Sequence, residues 1–247
     1  MKHKLISLFS GAGGMDIGFH SAGFETAVCV EHDPSCCATL RRNMPRVPVI
    51  EGDICKITTT DILNTAKLKP LEAALVIGGP PCQSFSLAGK RMGLDDPRGR
   101  LVLEFIRVVR EALPVGFVME NVKGLVNWAS GKALHAILDE AALPIEYNGK
   151  TYHYTLSHKV LNAVDYGAPQ FRERIFIIGN RLGKRLQYPE PSHSNRDSGT
   201  SDLFGTHCLP WQTVGDAIGK LPPAAPPSEA AIRVSKTIKD RIKNHGY

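Results

Sequence analysis

Short apolar runs alternate with longer amphipathic stretches over residues 4–141, and this rhythm is the strongest constraint on the fold. The runs have the length of buried strands, and the stretches between them carry apolar residues at helical spacing. Such alternation predicts a parallel sheet covered by helices on both faces. The predicted strands are Lys4–Phe9, Thr26–Glu31, Val47–Ile50, Ala74–Ile77 and Val115–Met119. The predicted helices are Met15–Ala22, Pro34–Asn43, Thr60–Ala66, Arg100–Ala112 and Gly131–Ala141.

The clearest predicted helix, Arg100–Ala112, has two faces of opposite character. Its apolar stripe consists of Leu101, Phe105, Val108, Val109 and Ala112, and the charged residues Arg100, Glu104, Arg107 and Glu111 lie opposite. This pattern is typical of a helix that packs one face on a sheet.

The pattern changes after Ala142. Two strands, Tyr152–Leu161 and Arg174–Asn180, are predicted with only a loop between them, which favours an antiparallel pair at the edge of the sheet. The predicted fold class is therefore α/β, a doubly wound, mostly parallel twisted sheet with an antiparallel edge strand.

The last quarter of the chain has a different composition. Residues Gln187–Pro227 are rich in Pro, Ser, Gly and Asn and are predicted to be irregular or partner-dependent, and Ile232–Asn244 is predicted to be a basic helical tail. We therefore expect a catalytic and cofactor-binding domain over residues 1–185. Residues 186–247 are expected to form an irregular segment and tail that face a partner or DNA.

Charge and cysteine usage limit the class of protein. The formal net charge of +6 is compatible with a polyanionic partner but does not require one. The six cysteines include no Cys-x-x-Cys pair, so no zinc site is predicted. The apolar N-terminus is too short for a signal peptide, and no segment has the ~20 apolar residues of a membrane span. We expect a cytoplasmic protein with reduced thiols.

One cysteine stands in an unusual setting. The apolar run Ala74–Ile77 leads directly into Gly78-Gly79-Pro80-Pro81-Cys82-Gln83-Ser84-Phe85-Ser86. A buried strand followed by this turn brings Cys82 to the carboxyl edge of the sheet, where open α/β folds bind their ligands. A thiolate there is a candidate nucleophile. Most free cysteines are small apolar core residues, a role we assign to Cys29, and for Cys82 alone both interpretations stay open.

Three predicted strand ends carry residues suited to an adenosine-type ligand. The first leads into Ser10-Gly11-Ala12-Gly13-Gly14, the second ends at Glu31, and the third is closed by Asp53. Each feature alone is equally typical of a tight turn, a solvated carboxylate or a helix cap. Together they favour a ribose contact from Glu31 and an adenine contact from Asp53. The turn lacks the third spaced glycine of an NAD site and no Walker lysine follows, so S-adenosylmethionine is the better candidate.

Two later segments carry candidate acid and cationic groups. The fifth strand leads into Glu120-Asn121-Val122, and its apolar approach leaves Glu120 partly desolvated, which suits a carboxyl group that donates a proton. In Gln170-Phe171-Arg172-Glu173-Arg174, alternation puts Arg172 and Arg174 on one face of an extended segment. The non-catalytic alternatives are a capping role for Glu120 and a solvated edge strand for the two arginines.

Four motifs in order resemble one family. Leu8-Phe9-Ser10-Gly11-Ala12-Gly13-Gly14, Gly79-Pro80-Pro81-Cys82-Gln83-Ser84-Phe85-Ser86, Glu120-Asn121-Val122 and Gln170-Phe171-Arg172-Glu173-Arg174 are similar to those of the cytosine-5 DNA methyltransferases. The resemblance spans roughly residues 5–180 and is far more specific than any single motif.

The resemblance implies a catalytic role for five residues. Cys82 would add to C6 of a cytosine flipped out of duplex DNA, and Glu120 would protonate N3. Asn121 would position the turn. Arg174, with Arg172, would contact the base and steady the cysteine.

The resemblance also implies the fold of the S-adenosylmethionine-dependent methyltransferases and a pocket for that cofactor. The residues that it assigns to this pocket are Phe9, Ser10, Gly11, Gly13, Gly14, Glu31, Asp53, Pro81 and Leu101. Phe9 would pack on the adenine. The segment Gln83–Gly99, with its glycines and basic residues, suits a mobile loop that closes over DNA phosphates.

One family motif is missing. The family normally continues through a target-reading region to a Gly-Asn-Ser motif that completes the cofactor pocket, and no such motif occurs in Ile175–Tyr247. The chain therefore resembles the catalytic subunit of a two-chain type II modification methylase, part of a restriction-modification system. A second subunit would carry target recognition and the last pocket segment, and double-stranded DNA would be the substrate.

Two other functions stay open from the sequence. A non-catalytic, nucleic-acid-binding regulatory subunit would be expected to lose the nucleophile or the acid, yet Cys82 and Glu120 are both present. An RNA cytosine-5 methyltransferase would share the same motifs. Amino-group methyltransferases are disfavoured because they carry an Asp/Asn-Pro-Pro-aromatic turn, whereas this chain has Pro80-Pro81-Cys82.

Overall fold

A seven-stranded sheet with helices around it forms the main body of the protein. The computed structural model describes residues 3–81, 100–195, 208–222 and 226–245. The strands are β1 (His3–Leu8), β2 (Phe24–Glu31), β3 (Val49–Glu51), β4 (Leu75–Gly78), β5 (Gly116–Val122), β6 (Ile145–Tyr147), β7 (Lys150–Tyr152), β8 (Thr155–Asn162), β9 (Glu173–Asn180), β10 (His193–Ser194) and β11 (Leu209–Pro210). The α-helices are α1 (Gly14–Ser21), α2 (Pro34–Asn43), α3 (Thr59–Ala66), α4 (Arg100–Ala112), α5 (Gly124–Asn127), α6 (Lys132–Ala142), α7 (Val214–Ile218) and α8 (Glu229–His245).

The strand order in the large sheet is β3-β2-β1-β4-β5-β9-β8. Strands β1 to β5 pair in parallel, whereas β9 is antiparallel to both β5 and β8. The α/β class and the antiparallel pair at the edge are therefore confirmed. The order reverses between β1 and β4, which is where a sheet of this kind opens a crevice for a ligand.

The core lies on both faces of the central strands. Neighbouring residues Val76 and Ile77 of β4 are both fully buried, as parallel strands covered on two sides require. Phe117 of β5 packs edge-on against Phe105 of α4 and Tyr154, with ring centroids 6.0 and 5.4 Å apart. Cys29 is fully buried, so its assignment to the core is confirmed.

Helix α4 corrects one detail of the predicted stripe. Val102 and Ile106 are buried in addition to the predicted positions, whereas Leu101 is only half-buried. The apolar face of α4 is therefore wider than the sequence pattern suggested, and Leu101 lies at its margin.

A buried carboxylate anchors α1 to the sheet. Asp16 accepts hydrogen bonds from the hydroxyls of Ser7 on β1 and Thr26 on β2, both at 2.9 Å. Asp16 stands in the first turn of α1, where a negative group also favours the helix dipole. These contacts fix the point at which the chain leaves the glycine turn.

Backbone proximity divides the chain into two compact units. Unit 1 consists of Met1–Asn162 and Arg172–Glu190 and contains the large sheet. Unit 2 consists of Ala163–Phe171 and Pro191–Tyr247 and contains β10, β11, α7 and α8. Within unit 2, Trp211 stacks edge-on against Phe171 and donates a hydrogen bond of 3.1 Å to Asp165.

Unit 2 contains more regular structure than the composition of 187–227 predicted. Helix α7 begins with a capping box, in which Thr213 and Asp216 each bind the backbone N–H of the other. None of the helices in the described part of the chain is long and apolar enough to cross a membrane.

Candidate active site

A cavity of about 850 Å³ opens at the carboxyl edge of the sheet in unit 1. Strands β1 to β4 are parallel, so their carboxyl ends meet at this edge. The described residues that line it are Phe9, Val30, Glu31, His32, Asp33, Gly52, Asp53, Ile54, Cys55, Lys56, Gly79, Pro81, Arg100 and Leu101. The volume lies within the range of small-molecule and cofactor sites, which is about 300–1,000 Å³.

The glycine turn shapes one end of this region. Phe9, Gly11 and Gly13 have φ angles of 52°, 54° and 86°, a left-handed conformation that glycine adopts readily and phenylalanine does not. A side chain on Gly13 would also approach Met44 to 3.0 Å. Phe9 lines the cavity, whereas Ser10, Gly11, Gly13 and Gly14 are not among its described lining residues.

Glu31 is held rigidly beside that turn. One carboxylate oxygen accepts the Gly11 N–H at 2.7 Å, and the other accepts the N–H groups of His32 and Asp33 at 2.8 and 2.9 Å. Each carboxylate oxygen has two lone pairs, so Glu31 retains capacity to accept hydrogen bonds from a ligand. The Gly11 N–H therefore helps to orient the Glu31 carboxylate.

Asp53 begins a short 3-10 helix, Ile54–Lys56. Its carboxylate accepts the Cys55 N–H at 3.0 Å, and this hydrogen bond lowers the pKa of Asp53. The same cap geometry occurs at α2, where Asp33 accepts the Cys36 N–H and its pKa is lowered for the same reason. The capping alternative for Asp53 is thus real, and it coexists with a position on the cavity wall.

Sequence reasoning missed several wall residues. His32 and Asp33 follow Glu31 directly, and Cys55 and Lys56 follow Asp53. The available signal was position alone, because a residue next to a strand-end ligand shares its edge of the sheet. Arg100 had been assigned only to the charged face of α4, and it lines the cavity beside Leu101.

A second group of polar side chains adjoins the exit of β4. Glu120 and Arg174 form an ion pair with Oε1 and Nε 2.9 Å apart, and both are about three-quarters buried. Arg174 lies opposite Val122 in the β5–β9 ladder, so its side chain shares a face with Glu120. A methyl group on Gly79 would approach Glu120 Oε2 to 3.0 Å.

Asn121 ties the same turn to β5. Its side chain is buried, with Nδ2 donating to the Pro80 carbonyl at 3.1 Å and Oδ1 accepting from the Val122 N–H at 2.8 Å. The position next to the turn is the one predicted for Asn121.

Two of the predicted catalytic residues, Arg172 and Cys82, are not seen in this group. Arg172 precedes β9 and is exposed, and its backbone N–H binds Asn162. The Arg172 side chain has no described contact with Glu120, whereas Arg174 forms the ion pair with it. Cys82 and the predicted loop Gln83–Gly99 lie outside the described residues. Pro81, the residue before Cys82, lines the cavity.

The fold and this site define a class of protein, the S-adenosylmethionine-dependent methyltransferases. The sequence profile of the C-5 cytosine-specific DNA methylases matches residues 3–244, and the chain belongs to this family. The family uses S-adenosylmethionine as methyl donor, in agreement with the sequence prediction. The predicted resemblance is therefore confirmed.

Individual relatives support the assignment. The chain is 70% identical to the type II methyltransferase M.AquIA of Picosynechococcus over the full length of both proteins. It is 42% identical to M1.HphI of Haemophilus parahaemolyticus, covering 90% of this chain but 54% of that protein. The chain spans about half the length of M1.HphI and of M.XorII from Xanthomonas oryzae, at 54% and 46%.

Solved structures agree with the fold. A DNA modification methyltransferase encoded within an E. coli prophage matches 90% of this chain and 56% of its own, with a TM-score of 0.67 and 29% identity. The structure of DNMT2 from Spodoptera frugiperda matches 76% of this chain with a TM-score of 0.55. Its identity of 21% makes it a likeness of fold alone.

Proposed function

We propose that this chain is the catalytic part of a type II modification methylase that methylates C5 of a cytosine flipped out of duplex DNA. The observation that carries the proposal is the convergence of Glu120, Asn121 and Arg174 on the turn Gly79–Pro81, which leads directly into Cys82. An acid, a cation and a thiol at one turn are what covalent addition to a pyrimidine requires.

In the proposed reaction, the Cys82 thiolate adds to C6 of cytosine while Glu120 delivers a proton to N3. S-adenosylmethionine supplies the electrophilic methyl group that the resulting nucleophilic C5 takes up. Loss of the C5 proton to a base and departure of the thiolate then restore the aromatic ring. Arg174, paired with Glu120, fixes the carboxyl group and contacts the base.

Cofactor binding is assigned to the 850 Å³ cavity. Phe9 would pack on the adenine, Glu31 would accept from the ribose hydroxyls, and Asp53 would accept from the adenine amino group. The fit is supported by the size of the cavity, by the free acceptor capacity of Glu31 and by the position of the Asp53 carboxylate on the cavity wall.

The test is covalent trapping of this chain, together with any companion protein that it retains, on a duplex that contains 5-fluorocytosine, because fluorine at C5 blocks the final elimination. A methylated adduct at Cys82 is expected by mass spectrometry. Cys82→Ser should give none, and Cys208→Ser, which removes an exposed thiol of unit 2, should trap normally. Trapping that persists in Cys82→Ser would refute the nucleophile, and preferential methylation of tRNA would replace DNA as the substrate.

We further propose a second subunit that carries target recognition and completes the cofactor pocket. Two observations support it: no Gly-Asn-Ser motif occurs in Ile175–Tyr247, and most of the relatives described above are about twice as long. Unit 2 also exposes large apolar side chains that a partner could cover. They are Leu209, Val214, Ile218, Leu221, Ile232 and Val234.

Purification distinguishes the two-chain proposal from the alternative that this chain acts without a partner. A tag on this chain should retain one companion polypeptide from the native host, and sequence-specific methylation should require both. The complex is expected in the cytoplasm, associated with the nucleoid when bound to DNA. Full sequence-specific activity of the isolated chain would contradict the proposal.

A further inference from the structure

Arg107 of α4 is turned toward the protein, although the sequence pattern placed it on the charged face of the helix. Its side chain is 28% exposed, and that of Glu104, its ion-pair partner, is 13% exposed. The distance between Arg107 Nε and Glu104 Oε2 is 2.7 Å. A charged side chain with so little exposure is rarely found without partners that hold it in place.

The guanidinium group binds the segment after Asp53 at three points. Nη2 donates to the carbonyl oxygens of Ile54 and Ile57 at 3.3 and 3.0 Å, and Nη1 donates to the Thr59 hydroxyl at 2.9 Å. These acceptors span the whole 3-10 helix and its exit. Arginine presents five N–H donors in a rigid planar fork, whereas lysine has three donors on a flexible stem and cannot reproduce this geometry.

The segment that Arg107 holds is a wall of the cavity. Ile54, Cys55 and Lys56 all line it, and Asp53, which starts the 3-10 helix, does so as well. Arg107 is not among the described lining residues. It stands two helical turns, about 10 Å, beyond Arg100, which does line the cavity.

We infer that Arg107 is a positioning residue for cofactor recognition, because it fixes the 3-10 helix that aims the Asp53 carboxylate. The inference rests on the proposed adenine contact of Asp53. Arg107 makes no contact with the ligand and acts through the backbone of 54–57. Replacement of Arg107 should therefore reduce the preference for adenine in a protein that still folds.

Arg110 provides a matched control on the same helix. Its guanidinium likewise binds a neighbouring segment at three points, the backbone carbonyls of Glu140, Leu143 and Pro144, at 3.0–3.3 Å. None of these residues lines the cavity in the described part of the chain. Arg107→Met and Arg110→Met thus each remove a three-point clamp, one beside the cavity wall and one away from it. The first also removes the ion pairs of Arg107 with Glu104 and Glu111, so the comparison uses the preference for adenine and not stability alone.

The experiment measures Kd by calorimetry for S-adenosylhomocysteine and for its inosine analogue, in which an oxo group replaces the adenine amino group. The chain is purified together with any companion protein that it retains. A hydrogen bond to a charged acceptor gives the parent protein a preference of roughly 10- to 100-fold for adenine. Arg107→Met should weaken S-adenosylhomocysteine binding about 10-fold and reduce the preference for adenine to a few-fold. Arg107→Lys should produce the same two changes to a smaller extent.

The outcomes separate the inference from the proposal beneath it. Arg110→Met should keep the full preference. An unchanged preference in Arg107→Met, or equal affinity losses in the two methionine variants, would overturn the positioning role. Asp53→Ala tests the adenine contact itself, because alanine has no acceptor for the adenine amino group. If Asp53→Ala keeps the preference, the adenine contact fails and the inference that rests on it fails too. If Asp53→Ala loses the preference but Arg107→Met keeps it, only the positioning role of Arg107 fails.

Discussion

Replacing Asn121 by alanine should damage both the fold and the reaction, and the two effects can be measured separately. The Asn121 side chain is 2% exposed and satisfies two groups at the exit of β4 and β5. It donates to the carbonyl of Pro80, which is itself buried, and accepts from the Val122 N–H. Alanine removes both of these hydrogen bonds.

The magnitude follows from those two hydrogen bonds. Loss of the partner of the buried Pro80 carbonyl costs about 1–3 kcal/mol, and loss of the hydrogen bond to the half-buried Val122 N–H costs about 1 kcal/mol. The free energy of unfolding should therefore fall by roughly 2–4 kcal/mol. For a domain of this size each kcal/mol lowers Tm by about 2–4 °C. The Pro80 carbonyl is two residues from Cys82, and a displacement of the nucleophile by about 1 Å costs on the order of 100-fold in rate.

Asn180 supplies the control. It is also a buried asparagine with hydrogen bonds to the backbone, at Thr155, Leu182 and Lys184, and it lies at the opposite end of the β5–β9 pair. Asn180→Ala should lower Tm comparably and leave kcat for methyl transfer nearly unchanged. Thermal unfolding and single-turnover methylation at a temperature where both variants are folded give the comparison. Equal kcat values for the two variants would refute a special role for Asn121.

Three further predictions concern the same edge of the sheet. Gly78→Ala should abolish soluble expression, because the new methyl group would lie 2.4 Å from a backbone carbonyl oxygen of β1. In Gly79→Ala the nearest atom is Oε2 of the Glu120 side chain, at 3.0 Å, which can shift at the expense of its ion pair with Arg174, so this variant should fold with reduced kcat. Alkylation at pH 8, followed by mass spectrometry, should modify Cys55 more slowly than Cys208, because desolvation raises the pKa of the Cys55 thiol. S-adenosylhomocysteine should slow the reaction at Cys55 but not at Cys208, and no protection of Cys55 would argue against the cavity as the cofactor site. The pKa of Asp53 is depressed in the folded state, so the stability lost in Asp53→Asn should be constant near neutral pH. That difference should disappear only as the pH falls below about 4, and a difference that grows on acidification would contradict the assignment.

The elements with strong local signals were predictable from the sequence. Helices α2 and α4 have the predicted bounds. At α2 the reason is local, since the Asp33 side chain caps the helix and Pro34 begins it. The β6–β7 hairpin was missed although Asn148-Gly149 is a favoured hairpin turn, and both residues adopt positive φ. Strands of three residues are too short for periodicity to detect.

The candidate site was predictable where it follows strand ends and not where it depends on packing. Glu31 and Asp53 could be chosen because each stands just after an apolar run. No pattern in α4 distinguishes Arg107 from the other charged residues of that face. Its role depends on which loop happens to cross the helix, and that is set by the folding of 54–59 onto α4.

The reversed strand β9 explains why Arg174 belongs to the site despite its distance from Glu120 in the sequence. In a parallel strand, a residue near the amino end would lie at the opposite edge of the sheet from the cavity. Because β9 is antiparallel to β5, its amino end meets the carboxyl end of β5, and Arg174 lies opposite Val122. The direction of this one strand therefore brings the cation to the acid. A register shift of one residue would move Arg174 to the other face of the sheet and remove the ion pair.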